Sequence, residues 1–261
     1  MTAKNTPAPA PVLVTGGTGT LGRLVVPLLR AAGHEVRVLC RTARESADGV
    51  EYVACDLLKE SPEAALAGVA TVLHLAGGQK GDDLATANLV RAAQAAGVRH
   101  LVYISVIGAD TVPLAWLRTK LESERIIAES GIPFSTLRAA QFHDLVLMMA
   151  EKMTKLPVVP VPGGLRMQPV DAGEVADRLV ELALGAPAGR VPDLAGPEVH
   201  ALGDLLRGYL AAKDRRRPML PVRIPGKAGR AYRAGANLTL VGADTGRRSW
   251  ADFLNGRLLP A

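Results

Sequence analysis

Residues 11–41 read PVLVTGGTGTLGRLVVPLLRAAGHEVRVLCR. Val12-Leu13-Val14 is a short apolar run with β-branched residues, the pattern of a buried strand. Residues 15–22, TGGTGTLG, turn the chain. Leu21, Leu24, Val25, Leu28 and Leu29 then recur at helical spacing, and Gly33 marks the stop. Val36, Val38 and Leu39 begin a second strand. The order is strand, glycine-rich turn, helix, strand. Gly16, Gly19 and Gly22 allow the positive φ that so tight a turn requires. They also let a pyrophosphate approach the backbone, where the free N–H groups and dipole of the helix N-terminus favour an anion. Placed between strand and helix, the glycines predict a dinucleotide cradle.

The spacing Gly-x-x-Gly-x-x-Gly differs from the Gly-x-Gly-x-x-Gly fingerprint. Thr-Gly-Gly-Thr-Gly-Thr-Leu-Gly resembles the opening of the short-chain dehydrogenase/reductase superfamily, in its extended and atypical branches. The resemblance implies a Rossmann-type doubly wound parallel sheet with a small C-terminal substrate lobe. It places Gly16, Thr18, Gly19, Thr20, Leu21 and Gly22 around the cofactor. The expected organisation is a flexible tail over 1–11, a nucleotide-binding domain over 12–150 and a substrate lobe over 151–261, interleaved with the core.

Composition bounds the alternatives. The 261 residues are 48% hydrophobic, enough for a sizeable core, and no apolar run reaches spanning length. The opening MTAKNTPAPAP lacks the apolar stretch of a secretory signal, so a cytoplasmic protein without membrane contact is expected. Cys40 and Cys55, the two cysteines, lack metal-ligand spacing, and no metal is expected. Net charge is +6, yet aromatics are only 3% and no basic stripe alternates with them, so no nucleic acid is expected. Arg215-Arg216-Arg217 reads as a solvated cluster near a helix end.

Further markers fall at the ends of successive strands, where open α/β sheets bind ligands. The second strand ends in Arg41, where an NAD enzyme carries Asp or Glu; a guanidinium matches a phosphate and points to NADP, with Arg44 beside it. Asp56-Leu57 closes a third strand, and the resemblance puts Asp56 on the adenine. Its other reading is a helix N-cap. Residues 71–78, TVLHLAGG, form a fourth strand whose exit, Ala76-Gly77-Gly78, runs along the cofactor ribose by the same resemblance. His74 reads as a core histidine. Residues 98–105, VRHLVYIS, end a fifth strand in Ser105.

Short-chain reductases pair Ser with Tyr-x-x-x-Lys, the lysine lowering the phenol pKa so that tyrosine passes a proton. Here Ser105 and Lys120 are in place, but Trp116 stands four residues before Lys120. An indole donates only and has no usable acidity. The stretch 121–142, LESERIIAESGIPFSTLRAAQF, is similar to the NmrA-like and isoflavone-reductase-like group. That resemblance implies either reduction through the lysine alone or NADP binding by a redox sensor. Catalytic candidates are therefore Lys120, Ser105 and His143, the last as substitute acid. Trp116, Gln141 and His143 are the substrate candidates. Residues 155–164, KLPVVPVPGG, read as a crossover above the active site, and Asp171 as a helix N-cap.

The expectation is an NADPH-dependent reductase of a small apolar or aromatic carbonyl or conjugated substrate, monomeric or homodimeric. The alternatives are an NADP-binding sensor with a protein partner, and a cyclase or isomerase on the same scaffold.

Overall fold

The computed structural model describes residues 10–78 and 80–258, so most of the expected tail, 1–9, lies outside the described residues. The chain begins β1 (Val12–Thr15), α1 (Gly22–Ala31), β2 (Val36–Cys40), β3 (Val50–Ala54), α2 (Glu63–Leu66), β4 (Thr71–His74), α3 (Asp82–Ala95), β5 (His100–Val106), α4 (Ala115–Ala128), β6 (Phe134–Ala139) and α5 (His143–Met153). Shorter elements follow: β7 (Val159–Pro162), β8 (Arg166–Met167), α6 (Ala172–Leu184), β9 (Gly189–Arg190), β10 (Leu194–Ala195), β11 (His200–Ala201), α7 (Leu202–Ala212), β12 (Met219–Val222), α8 (Gly226–Ala234), β13 (Asp244–Thr245) and α9 (Trp250–Leu258).

The main sheet runs β13-β10-β6-β5-β4-β1-β2-β3, with β9 also on β6. Its segment from β3 to β6 has the Rossmann strand order, in which the chain returns to the sheet centre after β3. β1 pairs with β2 and β4, β2 with β3 and β4 with β5, all in parallel. This is the expected doubly wound α/β fold. The alternation of strands with amphipathic helices produces it, because each parallel return needs a crossover.

The chain forms two compact units, and they do not divide at residue 150. One comprises residues 1–103, 123–136 and 176–189; the other comprises 104–122, 137–175 and 190–261. β5, α4, β6, α6 and β9 each run from one unit into the other.

The first unit is held by Leu13, Leu66, Val72, Leu89, Leu101 and Ile127, all fully buried in one cluster. Burying each such side chain contributes about 1.5–3 kcal/mol. The second unit has its own core, where Val146 and Ala150 of α5 and Leu205 and Leu206 of α7 meet Trp250, Phe253 and Leu254 of α9. Met149 and Met153 pack against that cluster, whereas Met148 faces outward.

Candidate functional site

In the first unit, the strand–turn–helix sequence builds a backbone concavity after β1. Gly16 has φ +70°, and a Cβ there would fall 2.7 Å from the Ala76 nitrogen. A Cβ on Gly22 would fall 2.3 Å from the Gly17 Cα, and one on Gly17 2.7 Å from Val38. These three glycines are required by the fold itself. Gly19 differs: it is exposed, and a Cβ there would meet only the Gly16 carbonyl oxygen, at 3.3 Å. That conflict is far milder than at the other three, asking the carbonyl to give by a few tenths of an ångström, and an anion seated on the turn gives glycine a further reason to be there. The N-terminus of α1 matches this, having no side-chain cap and no acid in its first turn. Thr18, Thr20 and Leu21 complete the turn, with Leu21 buried and Thr20 exposed.

The β4 exit is pinned by a chain of hydrogen bonds that the sequence did not announce. The Ala76 N–H donates to the Thr15 hydroxyl at 3.1 Å, and that hydroxyl donates to His74 Nδ1 at 2.7 Å. His74 Nε2 in turn meets the Thr86 hydroxyl at 3.1 Å, which donates to the Asp82 carbonyl at 2.6 Å. The last step fixes the tautomer: Thr86 spends its proton on Asp82, so His74 Nε2 carries the hydrogen. The Gly78 N–H donates to Asp82 Oδ1 at 2.6 Å. His74 is thus a core histidine, as expected. The signal for its partner was the register, since Thr15 lies directly beside His74 in the parallel pair.

Arg41 and Arg44 are exposed just past β2. The Asp56 carboxylate is turned toward its own loop, accepting the Leu58 N–H at 3.2 Å and lying 3.5 Å from the Lys59 amine. Asp56 thus shapes a turn and caps no helix: the next helix, α2, begins at Glu63 with Pro62 at its N-cap. Leu57 is buried, while Gly77 and Gly78 are exposed.

The second unit holds the remaining candidates. Ser105 lies near the end of β5 and is 1% exposed; Lys120, in the second turn of α4, is 8% exposed. Trp116 sits one helical turn before it, exposed, with its carbonyl accepting the Thr119 hydroxyl at 2.8 Å. Gln141 follows β6, and its buried Oε1 has no hydrogen-bond partner. A ligand donor would satisfy that atom, which makes Gln141 a substrate candidate on geometry as well as position.

His143 corrects the expectation. Its ring is 0% exposed and sits against Trp250 and Phe253, with centroids 5.8 and 5.1 Å away. Neither ring nitrogen makes a hydrogen bond of ordinary geometry. Burial pushes the pKa down to about 4, against a weaker upward pull from the Asp171 carboxylate. The imidazole is neutral at pH 7, enclosed by aromatic rings, and is not poised as an acid. Its position just after the sixth strand suggests a site residue, but Trp250 and Phe253 of α9, far along the chain, pack against it.

Two further groups organise this unit. Asp171 caps α6 as expected, accepting the Gly173 N–H at 2.8 Å, and pairs with Arg248 at 2.9 Å. Arg138 of the Thr-Leu-Arg motif, nearly buried, pairs with Asp110 at 2.8 Å. Burial pushes the Asp110 carboxyl up, but the hydrogen bond and charge of Arg138 outweigh it and leave it below its ordinary value. Residues 155–164 also depart from expectation: part of them forms β7, which pairs with β12 as a two-stranded ribbon. Among the described residues there is no cluster suited to a metal ion, and no helix is long and apolar enough to cross a membrane.

Comparison with known proteins now bears on this geometry. A family model described as NAD(P)H-binding matches residues 16–184. The chain is 33% identical to High Chlorophyll Fluorescence Phenotype 244 of Arabidopsis thaliana, over 54% of this chain and 39% of that protein. It is 30% identical to the NAD(P)H azoreductase of Xenophilus azovorans, over 78% of this chain and 74% of the other. The chain thus spans about two fifths of the first relative's length and three quarters of the second's. Among solved structures, the NADPH complex of the Escherichia coli NADPH-dependent quinone oxidoreductase superposes with a TM-score of 0.79 at 21% identity, covering 94% of this chain and 99% of that one.

Proposed function

This chain belongs to the NAD(P)H-binding family of the atypical short-chain dehydrogenase/reductase superfamily, and we propose that it is an NADPH-dependent reductase of a small apolar or aromatic carbonyl or conjugated molecule. The observation that carries the reading is the exposed turn at Gly19, over a helix N-terminus with no side-chain cap and no acid in its first turn. An anion is the occupant that such a turn favours. Arg41 and Arg44, exposed just beyond β2, favour the 2′-phosphate of NADPH over the bare ribose of NADH. The activities named for the azoreductase and the quinone oxidoreductase point to flat, conjugated acceptors.

When bound, NADPH would supply the hydride. In this reading Gly16, Thr18, Gly19, Thr20, Leu21 and Gly22 hold the pyrophosphate, and Ala76, Gly77 and Gly78 follow the ribose. Asp56 and Leu57 border the adenine. Lys120 bonds the nicotinamide ribose, holds a positive charge against the developing oxyanion and carries the proton that tyrosine carries elsewhere in the superfamily. The Ser105 hydroxyl orients the acceptor oxygen, and Gln141 and Trp116 line the substrate's place. His143 takes no part in proton transfer.

Trp116 favours a second reading, an NADP-binding regulator without turnover, because its indole has no proton to give. The experiment is a panel of quinones, azo dyes and aromatic carbonyls, followed by NADPH absorbance and repeated with NADH. Oxidation of NADPH in preference to NADH is expected. NADPH binding by calorimetry without turnover on any acceptor would replace the reductase with the regulator.

A further inference from the structure

Two stretches of the second unit are strongly basic and apolar at once. Over residues 152–163 and 213–227 there are eight Lys and Arg residues and one acid, Asp214. The stretches meet in the ribbon, where β7 and β12 run parallel with Pro160 beside Leu220 and Pro162 beside Val222. Alternation sorts the ribbon's side chains onto two faces. Val159, Val161 and Met219 turn inward onto the α5–α7 core. Val158, Pro160, Leu220 and Val222 turn outward and are exposed, Leu220 by 57% and Val222 by 42%. Leu156, two residues before Val158, is exposed by 47%.

Next to the ribbon lies a concavity of about 520 Å³, lined by Arg207, Arg215, Arg216, Arg217 and Met219 with one acid, Asp214. Met219 belongs to both, so the basic pocket and the ribbon adjoin. Arg207 is paired with Asp204, whereas Arg215, Arg216 and Arg217 are exposed and, among the described residues, form no ion pair.

The backbone decides what kind of partner fits. The Val159 and Gly163 N–H groups donate inward, to the Pro218 and Val222 carbonyls. By alternation, the outward edge of β7 then belongs to Pro160 and Pro162, which have no N–H. The outward edge of β12 has Pro221 in the same position. The β7 edge therefore accepts no further strand, and Pro221 interrupts the β12 edge beside Met219. An exposed apolar face with a proline-interrupted backbone at its edges, near arginines that make no ion pair among the described residues, suits a non-directional apolar medium with an anionic surface.

We propose that the outward face of the β7–β12 ribbon, with Arg215, Arg216 and Arg217, seats the protein peripherally on an anionic lipid bilayer. Leu220, Val222 and Val158 enter the headgroup–acyl boundary, and the arginines meet lipid phosphates. This goes beyond the expectation of a protein without membrane contact and is independent of the reductase reading.

The test is co-sedimentation of the full chain with phosphatidylcholine vesicles, with and without phosphatidylglycerol, at low and high salt. Binding to the anionic vesicles that weakens with salt is expected. Leu220→Glu with Val222→Glu should weaken it about tenfold or more, and Arg215→Ala, Arg216→Ala and Arg217→Ala together should do the same. All five side chains are exposed, and circular dichroism melts confirm that each variant folds. No binding to anionic vesicles at low salt, equal binding to neutral ones, or equal binding by parent and Leu220→Glu, Val222→Glu would overturn the proposal. A dimer in lipid-free buffer that the same variant dissolves would overturn it too, assigning the face to a second copy.

Discussion

The Thr15 hydroxyl lies 2.7 Å from His74 Nδ1, on adjacent parallel strands, and the same oxygen accepts the Ala76 N–H. One small side chain thereby ties the strand that starts the glycine turn to the strand exit that faces it. Thr15→Val keeps the shape but leaves a buried imidazole nitrogen and a backbone N–H without partners. Unfolding in urea should show a loss of about 1–3 kcal/mol. NADPH affinity should fall as well, since the Ala76 backbone is no longer held. Wild-type stability in Thr15→Val would mean the bond carries no net weight.

Gly19 and Gly22 should part company. Gly22→Val forces its Cβ into the Gly17 backbone and should fail to fold or melt far below the parent. Gly19→Val meets only the Gly16 carbonyl oxygen, at 3.3 Å, and should melt much closer to the parent than Gly22→Val, yet lose NADPH binding by calorimetry. Retained binding by a folded Gly19→Val would remove the pyrophosphate from this turn.

Arg41→Ala should weaken NADPH by about 1.5–3 kcal/mol, roughly ten- to hundredfold, because a charge-assisted pair is lost. NADH, lacking the phosphate, should bind the variant and the parent alike. Equal losses for both cofactors would take Arg41 out of the phosphate site.

Lys120→Ala should cut kcat by about a hundredfold or more while changing the NADPH dissociation constant far less. His143→Phe should leave the pH–rate profile near neutrality intact, since the ring is already neutral there. A lost limb in that profile would restore His143 as the acid. Trp116→Tyr rebuilds the Tyr-x-x-x-Lys pair on one helix face and should raise turnover on simple carbonyls.

His143 should instead govern stability in mild acid. With a folded pKa of about 4 and an unfolded value near 6.5, the unfolded chain takes up the proton first. The contribution is complete above about pH 6.5 and is lost as pH falls to about 4, amounting to roughly 3 kcal/mol. The groups around it are Asp171, Arg248 and His200, so the slope belongs to this cluster. Urea midpoints across the window should fall steeply for the parent and less for His143→Phe. Identical slopes would assign the acid lability elsewhere.

The sheet and its nucleotide end were legible because they are local. Val12-Leu13-Val14, the glycine turn and the Leu/Val stripe of α1 encode strand, turn and helix within about twenty residues, and each later strand repeats the signal. Asp171 was legible as a cap for the same reason. What escaped was set by distant chain. The burial of His143 is decided by Trp250 and Phe253, more than a hundred residues later. The fate of residues 155–164 is decided by β12, which no periodicity in that proline-rich stretch foretells. Composition read Arg215-Arg216-Arg217 as solvated, and they are; the exposed ribbon face beside them appears only when two separate segments pair.

The interleaving of the two units has a consequence for how such a chain is inherited and handled. Each unit is assembled from three separated segments, so the polypeptide passes from one to the other five times. No single cut releases either unit whole. A fragment ending at residue 150 would lose residues 176–189 from the nucleotide-binding unit, and with them the Ala188 N–H that donates to Ser135 at 3.0 Å. Neither half can be exchanged as a cassette by one recombination event. Any contiguous segment swapped into this chain therefore carries only part of a unit, and must match the rest of that unit supplied by the recipient.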